Sequence, residues 1–177
     1  MTTVLALLLV NVVLGAWDTL WYHEYRARLS ARLDSTRTEL RLHVTRDAVY
    51  VVLYSVLAWW QPSGWLVVVA AVGLTIEIGA TMCDFIVEDR DRPAIGGLAP
   101  GERVLHTLMA LVYGAMLSRL VPILVSEIDG PTTLVSGGAP AWMGVAATGA
   151  AVGIAVSGAR DALALRGYDP VWRPVRT

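Results

Sequence analysis

Five stretches of this chain are long and apolar enough to be read as bilayer-spanning helices: Val4–Tyr22, Leu42–Trp60, Trp65–Val87, Val104–Val125 and Ala141–Ala159. A span needs about 20 mostly apolar residues, and in hydrocarbon every backbone N–H and C=O must be bonded within the protein. These runs therefore predict an all-α integral membrane protein. Composition agrees: 55% of the residues are hydrophobic and mean hydropathy is +0.56. The first run lacks a basic leader, and an aromatic belt (Trp17, Trp21, Tyr22) follows it where a signal peptide has small residues, so it is read as a retained span.

Every basic residue is arginine. Arg26, Arg28, Arg32, Arg37, Arg41 and Arg46 lie between the first and second runs or at the start of the second. Arg90, Arg92 and Arg103 lie between the third and fourth, and Arg160, Arg166, Arg173 and Arg176 follow the fifth. The opposite connections carry Gln61-Pro62-Ser63-Gly64 and the acids Glu127 and Asp129, with only Arg119 nearby. The positive-inside rule then predicts a bacterial cytoplasmic membrane protein with its N-terminus outside and its C-terminus in the cytoplasm. The expected organisation is an antiparallel four-helix bundle over 1–125, an outer loop over 126–140, a fifth transmembrane helix over 141–159 and a cytoplasmic tail over 160–177.

Local signals fit these boundaries. Thr36-x-x-Glu39 predicts a capping box at the start of the second helix. Pro62 and Gly64 predict a tight turn, and short connections pair helices one with two and three with four as hairpins. The fifth run has Gly144, Gly149, Gly153 and Gly158 and no acid or histidine in its membrane part. It reads as a packing helix, or as a contact with a second copy or a partner subunit.

The net charge of −1 argues against a nucleic-acid partner, and a lone cysteine, Cys83, rules out a disulfide framework. Cys83 reads as a packing residue beside Asp84. The informative charges are the acids. They gather with all three histidines at one end of the predicted bundle: Asp18, His23 and Glu24; Glu39, His43 and Asp47; Glu77, Asp84, Glu88 and Asp89; Glu102 and His106. Charges in a span cost about 2.5–3.5 kcal/mol each on insertion scales, so such a cluster marks a functional site. Glu39, His43 and Asp47 share a helix face, with Tyr50 and Tyr54 near it. Glu102 and His106 are likewise four apart, followed by Met109 and Tyr113. Glu77, Asp84 and Glu88 share a face. Asp18 and Glu24, six apart, can both point inward only if the end of the first helix is frayed or bent.

The two hairpins form a weak repeat. Glu24-x-Arg26-x-Arg28 precedes Glu39-x-x-x-His43, and Glu88-x-Arg90-x-Arg92 precedes Glu102-x-x-x-His106. Four carboxylates balance two divalent cations, and imidazoles add affinity for first-row transition metals. The expected ligands are Glu24, Glu39, His43, Glu88, Glu102 and His106, with Asp18, His23, Asp47 and Asp84 as extra ligands or as partners that orient the histidines. Tyr50, Asp47 and Asp84 are expected in supporting catalytic roles, orienting histidines or donating protons and electrons. Arg41, Arg46 and Arg103 are expected to offset surplus acid.

This ligand pattern resembles that of the ferritin-like di-iron carboxylate bundles, although three residues here separate Glu from His where that pattern has two. The stretch Asp84–Arg90 with Glu102–His106 is also similar to uncharacterised bacterial integral membrane proteins, which implies no activity. The ferritin-like resemblance implies two divalent transition metals, iron first and manganese or zinc next. It also implies an oxidase or oxygenase type of oxidoreductase. A site at the membrane boundary suits a lipid-like or quinone-like substrate. The alternatives are a binuclear zinc hydrolase, a haem-binding electron-transfer protein with His43 and His106 as axial ligands, a metal or proton transporter using Glu77, and a non-catalytic membrane subunit. No Gly-x-Ser-x-Gly supports serine hydrolysis.

Overall fold

Five long helices dominate the computed structural model, which describes residues 1–168; Arg173 and Arg176 lie outside the described residues. The helices are α1 (Thr2–Trp17), α2 (Leu33–Leu57), α3 (Trp65–Asp91), α4 (Pro100–Ser126) and α5 (Ala141–Leu165). Four helical stretches are long and apolar enough to cross a membrane: Thr2–Ala31, Trp65–Ile95, Pro100–Ser126 and Ala141–Leu165. The expectation of five such spans is corrected at α2, which carries Arg37, Glu39, Arg41, Arg46 and Asp47 before its apolar C-terminal stretch. The outward faces are apolar, with Val13, Val52, Leu111 and Val145 exposed, as a chain built for a non-aqueous surround requires.

Two connections differ from expectation. The α2–α3 turn and the α4–α5 loop pair as an antiparallel ribbon, β1 (Trp60–Ser63) with β2 (Thr133–Ser136), in the register Trp60↔Ser136 to Ser63↔Thr133. Gly64 follows β1 at φ 60°, and a Cβ there would lie 2.7 Å from the Thr132 backbone nitrogen, so only glycine fits. The capping box at Thr36 does not form. The helix begins earlier, at Leu33, and the Thr36 hydroxyl donates to the Leu29 and Arg32 carbonyls instead. Cys83 is exposed rather than packed.

Packing does not follow chain order. Helix α1 packs on α4 and α5, and α2 packs on α3 and α5, whereas α1 with α2 and α3 with α4 touch little. Helix α5 is thus wedged between α1 and α2. Gly144 and Gly158 allow this approach: a Cβ at Gly144 would meet the Ala58 carbonyl at 2.9 Å, and one at Gly158 the Asp47 Cβ at 3.0 Å. The main apolar core, including Leu5, Leu8, Leu53, Met116, Leu120 and Ala147, lies toward the ribbon end. The acids and histidines occupy the other end.

Candidate metal centre

The end of α1 is bent into this site by a change of helix type. From Asp18 to Ala27 the chain continues as a π-helix, closed by Arg28 in the left-handed region at φ 53°. A regular α-helix places residues five apart on different faces, whereas a π-turn brings them back together. Asp18 and His23 are both buried, with His23 Nε2 3.4 Å from Asp18 Oδ2. The expected bend was tied to Asp18 and Glu24 both pointing inward; the π-turn instead brings Asp18 together with His23.

Each histidine meets acid from another helix. His43 Nε2 lies 3.1 Å from Asp84 Oδ2, which also accepts from Arg46 Nη1 at 3.3 Å. His106 Nε2 lies 3.1 Å from Asp18 Oδ2, and its Nδ1 lies 3.4 Å from Glu88 Oε2. His23 stacks on His43 at 4.8 Å between ring centroids and meets His106 edge-on at 6.3 Å. Glu102 Oε1 is 3.6 Å from His23 Nε2.

Sequence reasoning missed Arg92, treating it as a topology marker. It is 1% exposed, and its guanidinium donates to both Glu39 oxygens at 2.7–3.0 Å while lying 3.1 Å from Glu102 Oε1. The two arginines that offset the acid are therefore Arg92 and Arg46. Arg41 is exposed, and Arg103 pairs with Asp89 at the surface. Glu39, just before the apolar part of α2, has its carboxyl pushed up by burial, a shift that Arg92 opposes.

Among the described residues, three groups bring acid and imidazole atoms within 4.8 Å of one another: Asp18, His23, Glu102 and His106; His23, Glu39 and His43; Glu39, Asp84 and Glu88. These buried groups can hold a metal ion. Zinc-type bonds of about 2.0–2.2 Å put donor atoms no more than about 4.4 Å apart, so small side-chain adjustments complete the first group. Among the described residues, the buried oxygens Asp18 Oδ1, Asp84 Oδ1 and Glu88 Oε1 have no hydrogen-bond partner, and His23 Nε2 and Glu102 Oε1 are held by ion-pair contacts alone. Each buried unsatisfied group costs about 1–3 kcal/mol. A cation bound by these atoms answers it directly.

Of the residues anticipated as ligands, His23, Glu39, His43, Glu88, Glu102 and His106 are brought together. Glu24 is not. It accepts from Arg160 Nη2 at 2.8 Å and belongs to none of the three groups. Asp18, five residues before His23, stands in its place. The hairpin repeat accordingly breaks in three dimensions, because its second arginines diverge: Arg28 is exposed and Arg92 buried. Asp47 lies behind His43, lining a cavity of about 20 Å³ with Glu24, Ser157 and Asp161. Asp161 was overlooked because it sits beyond the apolar part of the fifth run.

A larger cavity, about 280 Å³, starts at Asp18, His23, Asp84 and His106 and runs between α3 and α4. Its walls include Met82 and Phe85, both exposed on the outer surface, and it continues past Gly114. Tyr50 borders it too, donating to Glu77 Oε1 at 2.6 Å. The wedge explains its position. Helix α5 fills the gap between α1 and α2, and no described element fills the corresponding gap between α3 and α4. No family model, no curated protein and no solved structure matches the chain.

Proposed function

We propose that this chain is a membrane metalloenzyme: a buried acid–histidine tier holds two divalent transition-metal ions and acts on a lipid-like or quinone-like molecule. The observation that carries this reading is the convergence of buried acid and imidazole atoms within 4.8 Å of one another, among them oxygens of Asp18, Asp84 and Glu88 that have no hydrogen-bond partner among the described residues. The first ion falls to Asp18, His23, Glu102 and His106, and the second to His43 with Glu39, Asp84 and Glu88. A mixed nitrogen and oxygen donor set suits iron, manganese or zinc rather than calcium or magnesium. Iron is the first expectation, which makes the reaction an oxidation of the oxidase or oxygenase type. Bound metal would supply Lewis-acid and redox chemistry that the side chains lack.

The protein's own groups have roles beside the ions. His106 turns Nε2 toward Asp18 and Nδ1 toward Glu88, so Glu88 is placed to fix the ring's orientation while Nε2 serves the ion shared with Asp18. Arg92 holds Glu39 and neutralises part of the acid. The cavity between α3 and α4 admits an apolar chain from the side, so that its polar head meets the tier. The arginine distribution supports a cytoplasmic location for the tier, and the outward Gly149 and Gly153 of α5 suit a contact with another helix.

Protein purified without chelators is expected to carry about two iron, manganese or zinc atoms per chain by elemental analysis. Stripping them should lower the thermal midpoint, and restoring the metal at a hundredfold excess over Kd should return about 2.7 kcal/mol per ion. A chain that neither carries nor takes up these metals ends the reading. Zinc alone, with no redox-active metal supporting turnover, would favour hydrolysis.

A further inference from the structure

The cavity between α3 and α4 has a second polar floor that the metal tier does not use. Asn11, Tyr50, Glu77 and Tyr113 line it, one from each of α1 to α4. Each lies seven residues from a member of the first tier on its own helix: Asn11 from Asp18, Tyr50 from His43, Glu77 from Asp84, Tyr113 from His106. Seven residues are two turns, so each pair shares a face and the floors are about 10 Å apart along the helices at 1.5 Å per residue.

This floor is only half satisfied. Glu77 is 1% exposed, and its Oε1 accepts from the Tyr50 hydroxyl at 2.6 Å and from Thr81 at 2.9 Å. Among the described residues its Oε2 makes no hydrogen bond, nor do Asn11 Oδ1 and the Tyr113 hydroxyl, although Tyr113 stands beside Glu77. An acceptor and a donor therefore adjoin at the wall of a mostly apolar cavity without a hydrogen bond closing between them. An alcohol matches both, since its O–H donates to Glu77 Oε2 while its oxygen accepts from Tyr113. The volume of about 280 Å³ lies at the small end of ligand pockets. It suits one hydrocarbon chain rather than two.

We propose that Glu77, Tyr113 and Asn11 form a second subsite that reads a hydroxyl group carried partway along a single-chain amphiphile. The amphiphile's head lies at the acid–histidine tier, so the inference rests on the reading of that tier as the head site. The ligand class is a hydroxylated long-chain acid or alcohol, its hydroxyl about 10 Å from the head. A metal-directed head alone gives no reason for Glu77 to stand two turns deeper, where a carboxylate is expensive.

The test measures binding of stearate, 10-hydroxystearate and 2-hydroxystearate to the full chain in lipid nanodiscs by calorimetry, with metal counted in every sample. The expected result is about tenfold tighter binding of 10-hydroxystearate than of the other two, in line with one or two added hydrogen bonds. Tyr113→Phe, which removes only an oxygen, should cut that preference severalfold. Glu77→Gln combined with Tyr113→Phe should abolish it. Equal affinities for the three probes, no binding of any, or a preference that survives the double change would overturn the proposal and leave a floor that holds water only. A preference that persists in metal-free protein upholds the subsite and counts against the metal reading alone.

Discussion

His106 Nε2 on α4 lies 3.1 Å from Asp18 Oδ2 at the end of α1, and the same imidazole presents its Nδ1 to Glu88 of α3 at 3.4 Å. One ring thus ties three helices, and its aspartate partner comes from the other hairpin. His43 mirrors this by taking Asp84 from the second hairpin.

Asp18→Asn should therefore weaken metal binding about 10–100-fold, the usual cost of disturbing a carboxylate beside a ligating histidine. Glu24→Gln should change it little, because Glu24 is committed to Arg160. Equilibrium dialysis with the divalent metal found in the purified protein checks both. Equal losses in the two variants would show that the π-turn does not choose between these acids.

Arg92→Leu should lower stability by about 3–5 kcal/mol, because it strands the buried carboxylates of Glu39 and Glu102. Arg92→Lys should not restore it, since an ammonium cannot reproduce the planar fork that grips both Glu39 oxygens. Divalent metal should stabilise the leucine variant more than the wild type, because the freed acid is left for the cation. Thermal unfolding with and without metal reads all three effects.

Gly114→Leu should fill the cavity between α3 and α4 without harming the fold. A Cβ at Gly114 meets nothing within 4 Å, and leucine is a better helix former than glycine by up to about 1 kcal/mol. Binding of long-chain amphiphiles should fall at least tenfold while metal content and thermal midpoint hold. Unchanged amphiphile binding would mean that the ligand does not use this cavity.

Gly144→Ala should destabilise by about 1–3 kcal/mol, since its methyl meets the Ala58 carbonyl and the Trp59 ring at 2.9 Å. Gly149→Ala and Gly153→Ala have open space and should be neutral or stabilising by up to about 1 kcal/mol. Unfolding midpoints in detergent distinguish the two classes.

Apolar run length made the helices legible, and spacing of four made the faces around His43 and His106 legible. The π-turn was not, because it needs only one residue more than an α-turn and leaves no composition signal. Arg92 was hidden by its company. Arg90, two residues before it, is exposed and bonds to Asp91, and sequence alone gives the two arginines the same meaning. Asn11 was hidden for the opposite reason, being a single amide in an apolar run. The wedge position of α5 was illegible because glycine spacing permits close packing without naming the partner.

That wedge has a consequence for what can reach the histidines. On one side, Asp18, His23 and His106 face a mostly apolar passage that reaches Met82 and Phe85 on the outer apolar surface. On the other, His23 and His43 back onto a pocket one water wide, ringed by Glu24, Asp47, Ser157 and Asp161. The histidine layer thereby separates a mostly apolar cavity from a small polar one and is one side chain thick.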